Sequence, residues 1–206
     1  KVLLQAKPLA DEICLHLMGE PLAHPKIKEI LSICDENEVQ IQLTTNGLLI
    51  KRYQELIINS KCIRQINFSL QSYKDNFPNK ELRQYLIPIL GFTLLLNEKR
   101  PEAYVNLRLW NLDSQSSDNE EIFCEVEKFY EIEIKRSVDV GNIKSKKIWN
   151  RVYLHFDSRF EWPDMKSPHQ GDKGRCHGIL NHIGIHADGT VVPCCLDKEA
   201  QINLGN

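Results

Sequence analysis

Short apolar runs alternate with longer amphipathic ones over residues 12–130. Residues 12–18 (EICLHLM), 39–45 (VQIQLTT), 64–70 (RQINFSL) and 104–110 (YVNLRLW) combine two-residue alternation with β-branched and aromatic side chains, the mark of strands. Between them, 25–36, 48–60, 79–97 and 119–130 place apolar residues three and four apart; in the first of these Ile27, Ile30, Leu31 and Cys34 share one helical face. Pro88 is expected to kink or divide the third helix, because a proline there has no N–H for the helix ladder. Strands alternating with helices predict βα units, hence a parallel sheet with right-handed crossovers, as an α/β barrel or an open α/β sheet.

After about residue 133 the rhythm changes. Trp149, Tyr153, Phe156, Phe160 and Trp162 crowd one stretch, and a Pro/Gly/Asp/Lys-rich loop follows at 163–174. A boundary is placed at 134–145, with the aromatic group read as the core joining two parts. The tail HIGIHADGTVVPCC reads as a β-hairpin, turning at Asp188 and Gly189, where positive φ costs little, and stopped by Pro193.

With 206 residues, 42% hydrophobic and 26% charged, and Lys+Arg 26 against Asp+Glu 28, the composition excludes collagen-like, disordered and supercharged chains. A net charge of -2 gives no broad positive field, so neither nucleic acid nor a membrane is expected as a partner. The longest apolar stretch, 85–96, is broken by Pro88, Gly91 and Thr93 and is too short to span a bilayer. No signal peptide is visible, and the chain opens inside an apolar pattern, so it reads as an internal fragment of a cytoplasmic protein. Cys14, Cys34, Cys62 and Cys124 are scattered through periodic segments and read as core thiols. Cys176, Cys194 and Cys195 cluster, which in a reducing compartment suggests metal before disulfide.

In a parallel α/β sheet the loops at the C-terminal strand ends converge on one site. The first run ends in Gly19, Glu20 and Pro21, the second in Thr44, Thr45, Asn46 and Gly47, the third in Ser69, Leu70, Gln71 and Ser72, and the fourth has Arg108 shortly before Asn111. A carboxylate directly after a glycine suits an ammonium group, since the bare backbone admits the ligand and the carboxylate accepts a charge-assisted hydrogen bond. Asn46, Ser69 and Gln71 suit ribose hydroxyls or a base edge, and Arg108 a carboxylate. Together they predict a zwitterionic ligand that carries a sugar. Singly, each has a plainer reading: a turn for Gly-Glu-Pro, a helix start for Thr-Asn-Gly, a strand edge for Ser-Leu-Gln, an ion pair for Arg108.

Residues 12–31 (EICLHLMGEPLAHPKIKEIL) followed by 39–50 (VQIQLTTNGLLI) resemble the second and third βα units of radical S-adenosylmethionine (radical SAM) enzymes. Gly19, Glu20 and Pro21 stand where that family has Gly-Gly-Glu-Pro, with Met18 in place of its first glycine. The resemblance implies that Glu20 and the backbone at Gly19 bind the amino group of S-adenosylmethionine, that Ser69 and Gln71 face the ribose, and that Arg108 reaches the methionine carboxylate. It also implies a Cys-x3-Cys-x2-Cys loop holding a [4Fe-4S] cluster. No such spacing occurs in this sequence, and Cys14 and Cys34 lie on strand and helix faces at the wrong separation. The opening KVLLQAKPLAD resembles the end of the family's first helix, just after that loop, so truncation is the expectation.

Cys176, twelve residues, Gly189, four residues and Cys194 form the spacing that begins the SPASM or twitch extension of peptide-modifying and related radical SAM enzymes. A Gly-turned hairpin lets a Cys before it and a Cys after it approach one cluster, for which thiolates are the required ligands. Cys176 and Cys194 are thus candidate ligands of an auxiliary [4Fe-4S] cluster, with Cys195 a spare ligand or a packing neighbour; buried thiols or an incomplete zinc site are the plainer alternatives. His24, His155, His169, His177, His182 and His186 are read as histidines satisfying local hydrogen bonds, not as metal ligands.

The expected architecture is a partial (β/α)6 barrel over residues 1–135 lacking its first βα unit, with 136–206 holding the end of the barrel and the start of a SPASM-type extension. The resemblance implies an iron–sulfur oxidoreductase whose intact form makes a 5′-deoxyadenosyl radical for hydrogen abstraction from a peptide or small-molecule substrate. It implies an electron donor such as flavodoxin or ferredoxin, and an inactive fragment. Two other classes stay open: a noncatalytic or zinc-stabilised α/β binding module, and a hydrolytic or lyase barrel using Glu20 as acid or base.

Overall fold

The computed structural model describes residues 1–206 apart from 78, 80, 111–117, 137–143, 158–161, 164, 165, 167, 169 and 170. Its elements are, in chain order, α1 (Val2–Ala6), β1 (Ile13–Leu15), α2 (Ile27–Glu36), β2 (Ile41–Thr45), α3 (Ile50–Asn59), β3 (Ile63–Ser69), α4 (Tyr73–Asn76), α5 (Leu82–Lys99), β4 (Tyr104–Leu109), α6 (Asp118–Tyr130), β5 (Ser145–Trp149), β6 (Val152–Phe156), β7 (Gly184–Ile185) and β8 (Val191–Val192). The chain divides into two compact units. Lys1, Leu3–His16 and Glu20–Arg159 form the first, and Val2, Leu17–Gly19 and Phe160–Asn206 the second. The change of rhythm at 134–145 falls inside the first unit.

In the first unit a six-stranded sheet has the order β1-β2-β3-β4-β6-β5 among the described residues. Every neighbouring pair is parallel except β5, which runs antiparallel to β6. A sheet built in sequence order through right-handed crossovers collects its helices on one face, the plan of part of an α/β barrel. Strand alternation then sorts the side chains. Ile41, Leu43, Phe68, Val105, Leu107, Leu109, Val152, Leu154 and Phe156 are buried in one cluster with Leu31, Ile57, Leu86, Leu90 and Val126 of the helices. At about 1.5–3 kcal/mol for each large side chain taken out of water, this face supplies most of the drive to fold. Polar side chains occupy the alternate positions and are left to the opposite face.

Three details depart from the sequence reading. Pro88 lies inside α5, which continues past it undivided to Lys99; burial of Tyr85, Leu86, Ile89, Leu90, Phe92 and Leu96 outweighs one missing ladder bond. Of the aromatic stretch, Trp149, Tyr153 and Phe156 lie in β5 and β6 and pack inside the first unit, where Trp149 stacks on Tyr130 with ring centroids 5.6 Å apart and Phe156 lies 6.3 Å from Phe123, whereas Trp162 belongs to the second unit. Of the four core thiols, Cys34 and Cys62 are buried, whereas Cys14 is exposed and Cys124 half-buried. Ile13 and Leu15 pack against the core, so alternation turns Cys14 to the open face, while Cys124 sits on the flank of α6 beside Glu120.

Gly47 is the hinge between β2 and α3. Its φ is +80°, and a Cβ there would stand 2.5 Å from Ile89 Cδ1. Only a glycine meets both demands at low cost.

The second unit contains the expected hairpin. β7 pairs antiparallel with β8, Gly184 opposite Val192 and Ile185 opposite Val191. The turn is closed by His186 N–H to Thr190 O at 2.9 Å and by Thr190 N–H to the Asp188 carboxylate at 2.9 Å. No helix among the described residues is long and apolar enough to cross a membrane.

Candidate functional site

The C-terminal ends of β1, β2, β3 and β4 lie side by side. After β1 the chain passes through Met18 at φ +51° and Gly19 at φ +120° before Glu20, and Pro21 starts a short 3-10 turn, Pro21–Ala23. Glu20 binds the next strand end. Its Oε1 accepts from Thr45 Oγ1 at 2.8 Å and from Leu22 N–H at 3.1 Å, and its Oε2 accepts from Asn46 N–H at 2.7 Å. Thr45 Oγ1 in turn accepts from Gly47 N–H at 3.1 Å, and Asn46 Oδ1 from Leu48 N–H at 3.0 Å. Tyr85, on α5, donates to the Asn46 carbonyl at 2.8 Å. Burial and the Glu20 charge both push the Tyr85 phenol up, so it stays a donor.

The open face of the sheet carries polar side chains in register rows. Asn67, only 1% exposed, donates to Thr44 Oγ1 at 3.2 Å and accepts from Gln65 at 3.0 Å and from Asn106 at 2.9 Å. The next row toward the strand ends is Ser69, Arg108 and His155, paired in register across β3, β4 and β6. Thr45 and Phe68 are the last register pair of β2 and β3, so Asn46 and Ser69 are the next residues on neighbouring strands. Glu20, Asn46, Ser69 and Arg108 thus stand at adjoining strand ends.

Arg108 is the most exacting member. Its Nε is buried with no hydrogen-bond partner among the described residues. Its guanidinium carbon lies 4.6 Å from the centroid of Trp110, and loss of water pushes its pKa down to about 10. A cation with an open N–H, stripped of solvent, calls for an anion, and a planar carboxylate matches the guanidinium fork. Gln71 does not join this row. It lines a cavity of about 10 Å3 with Tyr73, Leu82, Asn119 and Ile122, where Gln71 Oε1 and Asn119 Oδ1 are both buried without partners among the described residues. The 3-10 turn Leu70–Ser72 rotates it away from the strand alternation that sets Ser69.

Sequence reasoning missed Thr45, Tyr85, Trp110 and His155 as site residues. Thr45 and Trp110 were in view as parts of strand runs, and the alternation Asn106, Arg108, Trp110 already put the indole on the face of the guanidinium. His155 needed recognition of VYLHF as a fifth parallel strand.

In the second unit Cys176 and Cys194 are built alike. Gly178 N–H donates to Cys176 Sγ at 3.3 Å and Leu196 N–H to Cys194 Sγ at 3.3 Å, each from two residues on. A Cβ on Gly178 would lie 3.3 Å from Cys176 Sγ and 3.4 Å from Cys194 Cβ, so both cysteines flank one glycine. N–H···S contacts of this kind are among the interactions that tune iron–sulfur clusters. The histidines behave as local partners: His24 Nδ1 accepts from Lys26 N–H at 3.1 Å, His177 pairs with Asn181 at 3.1 Å, and His186 with Asp197 O at 2.9 Å. Asn111, Phe160 and His169 lie outside the described residues.

Residues 176–206 match the family model of SPASM, an iron–sulfur cluster-binding domain. The structure of Streptococcus suis SuiB bound to S-adenosylmethionine aligns with a TM-score of 0.54 and 20% identity over 94% of this chain and 51% of SuiB. SuiB bound to its precursor peptide SuiA aligns equally well, TM-score 0.54, 20% identity, over 95% of this chain and 51% of that one. The chain resembles a radical SAM enzyme with a SPASM-type extension. Archaeal TYW1 aligns more weakly, TM-score 0.41 and 21% identity, over 58% of this chain and 40% of TYW1. No curated protein matches the sequence. The chain spans about half the length of SuiB, and at this identity the likeness to SuiB is one of fold.

The SPASM match covers Cys176, Gly189 and Cys194, the three residues of the spacing first read from sequence. Their two thiols, each already held by a backbone N–H, suit a thiolate-ligated cluster. Among the described residues no three His, Cys, Asp or Glu side chains gather as one metal site. Met18, two residues before Glu20, holds φ +51°, a left-handed conformation that costs a non-glycine residue roughly 1–2 kcal/mol.

Proposed function

We propose that this chain is the S-adenosylmethionine-binding part of a radical SAM enzyme that carries a SPASM extension. The observation that carries the reading is Arg108, a desolvated guanidinium whose Nε has no partner among the described residues, on the open sheet face beside Ser69 and at strand ends adjoining Glu20 and Asn46. A ligand with an ammonium group, a carboxylate and a ribose answers all four positions at once.

In this reading Glu20 does two jobs. Its Oε1 is filled by Thr45 and Leu22, which fixes the carboxylate, while Oε2 takes one N–H from Asn46 and keeps a lone pair for the ligand ammonium. Gly19, with no atom of the described residues within 4 Å of its absent Cβ, leaves the backbone open to approach. Ser69 Oγ and the Asn46 amide serve the ribose, and Arg108 takes the carboxylate. Pro21 fixes the turn that aims Glu20. Gln71 would have to leave its cavity to take part, so its role is to hold the turn after β3.

A bound reduced [4Fe-4S] cluster would supply the electron for reductive cleavage of S-adenosylmethionine and hydrogen abstraction from substrate; the cysteines for that cluster are not in this sequence, whereas Cys176 and Cys194 would hold an auxiliary one. SuiB has been crystallised with a precursor peptide, and a peptide is the substrate class proposed here. The test is anaerobic reconstitution of the intact protein with iron and sulfide, scored by cluster absorbance and by release of 5′-deoxyadenosine. Both signals are expected. Zinc without a cluster, and no nucleoside release, would overturn the reading in favour of a binding module.

A further inference from the structure

The Arg108 site has a neighbour that the resemblance does not assign. His155 is paired in register with Arg108, as Arg108 is with Ser69. Trp110 joins the other two: its ring lies under the Arg108 guanidinium at 4.6 Å, and its Nε1 donates to His155 Nδ1 at 3.3 Å, the two rings edge to face at 5.7 Å. An indole N–H only donates, so Nδ1 must carry a lone pair and the ring hydrogen sits on Nε2. Trp110 therefore holds His155 in one tautomer and in the neutral state. The surroundings agree with this. Burial and the Arg108 charge push the His155 pKa down, Lys144 adds to them, and Asp157 alone opposes. A second cation beside Arg108 would repel it, whereas a neutral donor adds direction to the pull of the guanidinium.

We propose that His155 is a second anion-binding residue of this site, presenting its Nε2–H in the register row of Arg108 so that a ligand carboxylate takes hydrogen bonds from both. This rests on the reading that Arg108 receives the carboxylate of S-adenosylmethionine. The row would then offer two donors, the guanidinium and His155 Nε2–H, to the anionic end of the ligand, with Ser69 left to the ribose.

The experiment is calorimetric binding of S-adenosylmethionine and of its decarboxylated analogue to the intact wild-type protein, His155→Phe and His155→Gln. The wild type is expected to prefer the carboxylate-bearing ligand. His155→Phe should weaken S-adenosylmethionine by about tenfold or more with little change for the analogue, since one charge-assisted hydrogen bond is lost. His155→Gln, which keeps a neutral donor, should retain most of the preference; it also guards against a folding defect in the phenylalanine variant. A preference undiminished in both variants, or equal losses for both ligands, overturns the role of His155 alone. A wild type with no preference overturns that role and the reading of Arg108 together.

Discussion

The Glu20 carboxylate and the backbone N–H of Asn46 lie 2.7 Å apart, which ties the end of β1 to the end of β2 across 26 residues of sequence. Because the same carboxylate also receives Thr45 Oγ1 and Leu22 N–H, one side chain fixes both strand ends before any ligand arrives. Replacing Glu20 by Gln sets an amide NH2 or a neutral oxygen against donors that now face a charge. A cost of about 1–3 kcal/mol is expected, from one unsatisfied or weakened buried bond. Urea denaturation of Glu20→Gln should show it, together with faster hydrogen exchange at the Asn46 amide.

Gly47→Ala should destabilise the chain by more than about 2 kcal/mol, since the new methyl is both overpacked and at positive φ. The methyl would meet Ile89 Cδ1 at 2.5 Å and Cγ1 at 2.9 Å. Adding Ile89→Ala in the same chain makes room, so the double variant should cost less than the sum of the two single ones, while the φ penalty persists. Equilibrium unfolding of the four proteins tests this; strict additivity would speak against the close approach.

How much of this site was legible beforehand depends on the range of the signal. Glu20, Asn46, Ser69 and Arg108 end apolar runs, and strand alternation over a few residues places them. The hairpin around Gly189 is similarly local, with the turn residue and the flanking alternation inside one decapeptide. Gln71 lies two residues past Ser69 and was expected to share its face, but a 3-10 turn breaks the two-residue repeat there. Tyr153 and Phe156 could not be assigned a place in the sheet because their strand, β6, pairs with β4 across a long connection, and nothing local distinguishes a parallel partner from a neighbouring domain's core. Pro88 was overestimated: a helix packed along most of its length tolerates one missing N–H.

The pH dependence of stability carries a His155 component. Its folded pKa lies below the ordinary 6.5, chiefly through burial and then through the Arg108 charge. Above pH 6.5 the ring is neutral in both states and adds no slope. As pH falls below 6.5 the unfolded chain takes up the proton first, so stability declines until the folded-state value is passed. His155→Gln should flatten that portion of the stability–pH curve relative to the wild type. Equal slopes below pH 6.5 would contradict a half-buried, neutral ring.

Cys176→Ser and Cys194→Ser should each reduce the iron bound per chain after anaerobic reconstitution of the intact protein, and its charge-transfer absorbance, if both thiols, each held by a backbone N–H, ligate the proposed auxiliary cluster. Cys34→Ser, a change at a buried thiol outside that set, should leave iron content unchanged. Equal iron in all variants would remove the second unit from the cluster chemistry.

The central claim is that four neighbouring strand ends surround one ligand. Hydrogen–deuterium exchange of the reconstituted intact protein, with and without S-adenosylmethionine, addresses it directly. Protection is predicted to rise together in peptides containing Gly19 and Glu20, Asn46, Ser69, and Arg108 with His155, all at the same ligand concentration. Protection confined to one of these segments, or arising elsewhere on the chain, would contradict it.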